Sequence, residues 1–396
     1  MAEVRDATAR LEELLSPRGR ELLDRLKREA VTPDTALPVS VRLRAEYPAE
    51  LVRDALAQHE LRMRAEPKFS RAADMFFTRA GLEQASAELV ARHRARRYPD
   101  AEQVADLCCG IGGDLIALAA SHSVLAVDHD RLHLRMAQAN AEAYGVANRV
   151  TTVLADVRDA DLTGVRAVFI DPARRTDRGR LRAGDSQPSL DWCVRLADRV
   201  GRVAIKAAPG LPREAVPPEW ELEFVAVGRE LKEAVAWSPA QATAARRATI
   251  LPPGDTLVQG PVGEPADVRP PGQFLFDPNP AVTRAGLVRE LARMIGAWQI
   301  DEQIAFLSAD SAVRTPFARV LRVIDSAPWQ QKRLPARLRA LDIGAVDIRR
   351  RGLAGDVGLL HRQLRLSGSR RATLVMTRVN DRPWALVCLD ADQPRG

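Results

Sequence analysis

VADLCCGIGGDLIALA, residues 104 to 119, decides the fold. An apolar run ends in Asp106, a glycine-rich turn follows, and an apolar helical pattern opens at about Gly113. Glycine is needed where the backbone takes positive φ or approaches a ligand closely, and Gly110, Gly112 and Gly113 sit at that turn. The pattern predicts a strand, a tight loop and a helix whose main chain, rather than side chains, meets a bound group.

Two more carboxylates follow at strand ends. Asp128 in SVLAVDHD stands about 20 residues after the glycines, the spacing at which an acidic side chain bonds ribose hydroxyls. Asp156 in VLADVRD is placed to accept a hydrogen bond from an adenine amino group. A dinucleotide is disfavoured, because the G-x-G-x-x-G fingerprint would need glycine where Leu115 stands. Asp106 before the loop suits the cationic methionine part of S-adenosylmethionine (SAM) and would repel a pyrophosphate. A nucleoside sulfonium is therefore the expected ligand, held by Asp106, Cys108, Gly110, Gly112, Asp128 and Asp156.

Working outward, QVADL, SVLAVD, RVTTVLAD, RAVFID and RVAIKAA read as strands alternating with helices, so a doubly wound parallel sheet is expected. ELEFVAVG and ATILPP read as late strands of an antiparallel edge pair, for about seven in all. Upstream the pattern is helical, with Thr78 capping a helix that runs through RAGLEQASAELVARHRARRY. The Pro- and Gly-rich run from Pro252 to Pro280 reads as a linker; one helix, AVTRAGLVRELARMIG, and a small α/β domain follow. The expected domains are 1–95 helical, 96–255 cofactor-binding, 256–312 linker and helical connection, and 313–396 basic α/β.

The segment from Asp106 to Pro172 resembles the class I SAM-dependent RNA methyltransferases, and most closely the catalytic domain of the trimethylguanosine synthase family. The preceding MFFTRAGLE is similar to that family's cofactor-lidding segment, which implies contacts from Phe77 and Thr78. AVDIRRRG through WALVCLD resembles the THUMP-like C-terminal domain of bacterial SAM-dependent methyltransferases. The resemblance implies a seven-stranded class I sheet with an N-terminal helical domain and a small C-terminal α/β domain.

In related amino-methyltransferases the fourth strand ends in D/N/S-P-P-aromatic, which holds the target amine. Here the tetrad is DPAR, so the resemblance implies Asp171, Pro172 and Arg174 at the reaction centre. Ala173 replaces the second proline and Arg174 the aromatic; Arg174 and Arg175 can stack on a base or fork onto a phosphate. Methyl transfer from a sulfonium needs mainly alignment, so Asp171 is expected to orient the acceptor amine. Enzymes that methylate pyrimidine C5 use a catalytic cysteine in an S-C-N-P motif, absent here, and Cys193 reads as a buried helix residue. Lys206 and ELKEAVAW lie where substrate-side loops are expected and either can line the acceptor pocket, though Lys206 reads rather as a strand-end solubiliser. A second Asp-Pro, in FLFDPNPAV, reads as a helix start with Asn279 as cap and Pro280 at the first helical position.

With 396 residues, 46% of them hydrophobic, the chain can bury several cores. No apolar stretch is long enough to span a membrane and the start is too charged for a secretory signal, so a cytoplasmic location is expected. The four cysteines form neither a disulfide framework nor metal-ligand spacing. The net charge of +7 is uneven: between Arg314 and Arg382 sixteen Arg and Lys face five Asp, leaving the remainder net acidic. Arg349, Arg350, Arg351, Arg370, Arg371 and Arg378 make this segment the candidate RNA-facing part, for tRNA or rRNA. The expected activity is N-methylation of an RNA base. The competing readings are a SAM enzyme acting on a small molecule or protein, and a non-catalytic RNA-binding module.

Overall fold

The computed structural model describes residues 2–391 apart from 30, 33, 99–102, 174, 177, 178, 181–185 and 262–266. Two compact units emerge: Met1–Glu221 with Ala234–Thr243, and Leu222–Glu233 with Ala244–Gly396. No helix among the described residues is long and apolar enough to cross a membrane.

The first unit begins with helices Ala2–Leu15, Pro17–Arg28, Ala36–Leu43 and Ala49–Ala65. Ser16 starts the second of them, accepting from the Gly19 amide at 3.1 Å ahead of Pro17 at a first-turn position. Their apolar faces share one core with the residues around the glycine loop. Leu22, Leu26, Leu51, Phe76 and Phe77 are buried together with Ile111, Ile116 and Met136. Fully buried Asn140 ties the two parts by backbone hydrogen bonds: its Oδ1 accepts from Phe76 N at 2.7 Å, and its Nδ2 donates to Phe76 O at 3.0 Å and Ile111 O at 2.9 Å.

The expected helix after Thr78 is broken. Thr78 caps Arg79–Gln84, as read, but the chain turns extended at Ala85 and a second helix, Glu88–Ala95, begins. The Lys68 ammonium donates to the carbonyls of Leu82 (2.7 Å) and Ala85 (3.1 Å), satisfying the last turn and stopping the helix there.

The sheet of this unit contains β1 (Gln103–Leu107), β2 (Ser123–Asp128), β3 (Val150–Leu154) and β4 (Ala167–Ile170). β1 lies between β2 and β4, all parallel; β3 flanks β2, and Arg202–Ala207 pairs parallel with β4. Glu230–Trp237 is a strand and not the loop expected of ELKEAVAW: Ala234–Trp237 pairs antiparallel with Arg202–Ala207, and Trp237 is buried. Its alternation is hidden in sequence because the inner half is covered on both faces. Helices Gly113–Ala119 and Arg131–Ala143 cross between the strands, giving the expected doubly wound α/β arrangement.

In the second unit, Glu221–Val227, all but its first residue, pairs with Arg246–Leu251. The pairing is parallel, where an antiparallel pair was expected; the antiparallel neighbour of Arg246–Leu251 is Asp255–Val258. A short crossing through the intervening strand lets both run the same way, which residue patterns alone do not encode. A seven-stranded sheet follows in the order Trp298–Gln299, Leu307–Ala309, Phe274–Pro278, Ala318–Pro328, Arg382–Asp390, Arg370–Val379, Ile343–Arg350. The run read as a linker thus ends in an interior strand of this sheet. Asn279 is the expected cap, accepting from Ala281 N at 3.0 Å, but the helix after it ends at Gly286, left-handed with φ 69°, and restarts as Val288–Ile295.

Candidate active site

Parallel strands place their C-terminal loops along one edge of the sheet, where such folds bind ligands. The loops after β1, β2, β3 and β4 border a cleft of about 1040 Å³. In the first, Cys108, Gly110 and Gly112 all have positive φ (60°, 54° and 88°). A side chain at Gly112 would meet Ala137 of the facing helix at 3.2 Å, so glycine there serves close approach. Gly110 faces open space, with nothing within 4 Å of where a side chain would begin, and its amide donates to Asp128 Oδ2 at 2.8 Å. The bend and the second carboxylate are thereby locked together.

The carboxylates around the cleft divide into satisfied and unsatisfied. Asp114 faces Arg94, whose guanidinium also donates to Ser86 Oγ at 2.7 Å and lies 4.9 Å over the Phe169 ring. Burial pushes the Asp114 carboxyl up, yet Arg94, Lys206 and hydrogen bonds from Arg94 and Ser86 hold it below the ordinary carboxylate value. Asp156 is gripped by Arg158, whose side chain and backbone N–H groups bring it down to about 2. Asp128 takes backbone donors on both oxygens, from Gly110 and, at 2.9 Å, from Asp130 N.

Asp106 is the exception. It is 1% exposed, and neither carboxylate oxygen has a hydrogen-bond partner among the described residues. Burial, then Asp114, Asp171 and Asp128, push its carboxyl well above the usual range. An unpartnered buried carboxylate beside an open glycine bend is a receptor for a cation with hydrogen-bond donors. That is the fit expected for the methionine end of SAM.

Asp171 follows β4, its amide bonded to Leu107 O at 3.3 Å. The Lys206 ammonium, 6% exposed on the neighbouring strand, donates to Asp171 Oδ2 at 2.5 Å. After Pro172, Ala173 pairs with Gln187 through two backbone hydrogen bonds of 2.9 and 3.0 Å, which returns the chain to the cleft. Ser189 then caps helix Leu190–Arg195, whose Trp192 lines the same cleft half-buried. Burial pushes the Cys108 thiol well up and Cys193 up to about 12, so neither is a thiolate nucleophile near neutral pH.

Of the residues singled out from sequence, Asp106, Cys108, Gly110, Asp128, Asp156, Asp171 and Pro172 line one cleft. Arg174 lies outside the described residues. Phe77, Thr78 and Gly112 do not line it: Phe77 is buried against Phe69 with ring centres 5.9 Å apart, Thr78 Oγ1 accepts from Gly81 N at 2.9 Å and meets His133 Nε2 at 3.1 Å, and Gly112 faces Ala137. Sequence reasoning set Lys206 aside as a strand-end solubiliser and passed over the Arg94 and Asp114 pair and Trp192. Lys206 carried a usable signal, since a lone lysine between Ile205 and Ala207 in a strand run is flanked by residues that bury. Arg94 and Trp192 carried none.

A THUMP domain-like family matches residues 318–390, an RNA cap guanine-N2 methyltransferase family residues 101–184, and a domain of unknown function residues 6–65. The chain is 41% identical over 319 residues to an uncharacterised S-adenosylmethionine-dependent methyltransferase of Mycobacterium tuberculosis (strain CDC 1551 / Oshkosh), a match covering 76% of this chain and 84% of the relative. The same figures hold for its counterpart in strain ATCC 25618 / H37Rv. A crystal structure of a putative methyltransferase from Porphyromonas gingivalis W83 is similar in fold, with a TM-score of 0.73, 17% identity, and coverage of 92% of this chain and 100% of that one.

Proposed function

We propose that this chain, which belongs to the S-adenosylmethionine-dependent methyltransferase family, places the methyl group on a base nitrogen of RNA. The observation that carries the site reading is the contrast between two carboxylates in one cleft: Asp106 has no hydrogen-bond partner among the described residues and Asp171 is held by Lys206. Asp106 suits the cationic methionine part, Gly110 leaves room beside it, Asp128 keeps lone pairs for ribose hydroxyls, and Asp156 borders the adenine side. When bound, SAM supplies an activated methyl group on a sulfonium.

The chain's own task is then alignment of the acceptor. Lys206 fixes the Asp171 carboxylate, leaving the other oxygen to accept from an amine N–H and hold its lone pair on line. The proton released afterwards can leave to solvent or to Asp171. The match to RNA cap guanine-N2 methyltransferases over residues 101–184 supports an exocyclic base amine, and the THUMP domain-like match with its arginine surplus supports an RNA carrier. A cytoplasmic site of action follows from that substrate.

Trp192 offers the aromatic surface that the DPAR tetrad lacks. Stacking is worth about 1–3 kcal/mol per base, so Trp192→Ala is expected to raise the KM for RNA by roughly tenfold with SAM affinity unchanged, while Trp192→Phe stays near the parent. Equal KM values for parent and Trp192→Ala would remove this residue from the acceptor pocket. The substrate itself is tested by mass spectrometry of nucleosides from total RNA of a deletion strain and its parent. One methylated nucleoside should be lost, and identical profiles would refute the RNA reading.

A further inference from the structure

Part of the arginine surplus of the second unit is spent in ion pairs. Arg351 donates to Asp277 Oδ1 at 3.0 Å, Arg319 to Asp390 Oδ1 at 2.6 Å and Arg371 to Asp347 Oδ1 at 2.8 Å. Arg349, close to these pairs, is exposed and, like Arg362, has neither ion pair nor hydrogen-bond acceptor among the described residues.

Strand register puts these groups on one face of the seven-stranded sheet. Arg349 pairs with Val375, and Val375 belongs to the apolar cluster with Leu275, Leu321 and Leu386. Side chains alternate with period two, so Asp277, two residues from Leu275, and Arg319, two from Leu321, share that face; Asp277 and Arg319 are direct cross-strand partners. Arg229, from the turn after Glu221–Val227, reaches the same place, donating to Asp277 Oδ2 at 2.7 Å. Arg229, Arg319, Arg349, Arg351 and Arg371 therefore outnumber the carboxylates beside them, Asp277, Asp390 and Asp347, of which Asp347 lies two residues before Arg349 on the same face. Burial lowers the Arg229 pKa; Asp277 opposes this, while Arg349, Arg319 and Arg351 add to it, so the like charges repel one another.

We propose that the arginine cluster at the rim of this face binds the phosphodiester backbone of RNA, with Arg349 as the exposed contact and Arg229 and Arg319 beside it. A planar guanidinium forks onto phosphate oxygens, and an anion relieves the crowding of positive charge. The proposal rests on the RNA reading above and narrows the grip from a basic segment to one sheet face. Helix Val357–Leu364 serves as the internal reference: its Leu360 and Leu364 cover the opposite apolar cluster, and it carries the exposed Arg362.

The test is binding of bulk bacterial tRNA to the full chain, measured by fluorescence anisotropy across a salt series. For the parent, log K should fall linearly with log salt. Arg349→Gln should lower the steepness of that line by about 1, as expected when one fewer phosphate is neutralised, while Arg362→Gln, which removes the same charge from the other face, leaves it unchanged. The far-UV circular dichroism spectrum and the urea unfolding midpoint of each variant report whether the second unit is intact. Equal slopes for Arg349→Gln and parent, with tRNA bound by both, overturn this site alone. No tRNA binding by the parent at low salt overturns the RNA reading and this site together, and binding of polyglutamate without binding of tRNA does the same in favour of an acidic protein partner.

Discussion

Asp171→Asn is expected to lower methyl transfer to RNA by about 100-fold while SAM affinity changes less than about threefold, because a small misplacement of the acceptor is enough to cost that much. Asparagine keeps the shape and one acceptor oxygen but presents an NH2 to Lys206 or to the incoming amine. Its second effect is on stability. Lys206 is nearly buried, and taking away the charge of the carboxylate to which its ammonium donates costs on the order of 3 kcal/mol. The two effects separate in the double variant Asp171→Asn with Lys206→Met. Deleting both charges restores much of the stability, since an apolar replacement of a buried pair is often tolerated, but turnover stays low. Single-turnover incorporation into RNA from a deletion strain measures the first effect, and urea unfolding the second. If the double variant regained turnover along with stability, Asp171 would be structural only.

That pair also shows where the sequence stops being readable. The glycine bend and the carboxylates at strand ends are local demands, imposed by positive φ at Gly110 and Gly112 and by strand termination, so a single sequence displays them. Lys206 meets Asp171 across 35 residues, and Arg94 meets Asp114 across 20, only because strand order and helix placement bring them together. Residue types at those positions announce nothing without the topology. The same limit explains the strand Phe274–Pro278: its Pro- and Gly-rich flanks look like linker, while its pairing with Ala318–Pro328 is set by residues about 40 positions away. Where helices were read too long, the stop came from outside the helix in one case, Lys68 on the carbonyls of Leu82 and Ala85, and from a glycine inside the run in the other, Gly286. Only the second was visible in advance.

Asp106→Asn should weaken SAM binding on the order of 10- to 100-fold, the range expected for losing charge-assisted hydrogen bonds in a dry site. The same change should stabilise the ligand-free protein. With no described partner on either oxygen, the folded chain holds Asp106 protonated at pH values where the unfolded chain has released that proton. Its stabilising contribution is complete below the ordinary carboxylate pKa and is lost as pH rises toward the raised folded value. Unfolding midpoints of the parent should therefore fall with rising pH across that window, and those of Asp106→Asn should be flatter. A cationic ligand reverses the preference, because it favours the charged carboxylate. SAM binding should release a proton and tighten with pH through the same window, seen by calorimetry in buffers of different ionisation enthalpy. Asn cannot lose that proton, so the variant should show neither the release nor the tightening. A parent enzyme that binds SAM with no proton release and no pH dependence would place the sulfonium nucleoside's cationic end away from Asp106, and the bare carboxylate would then need another explanation.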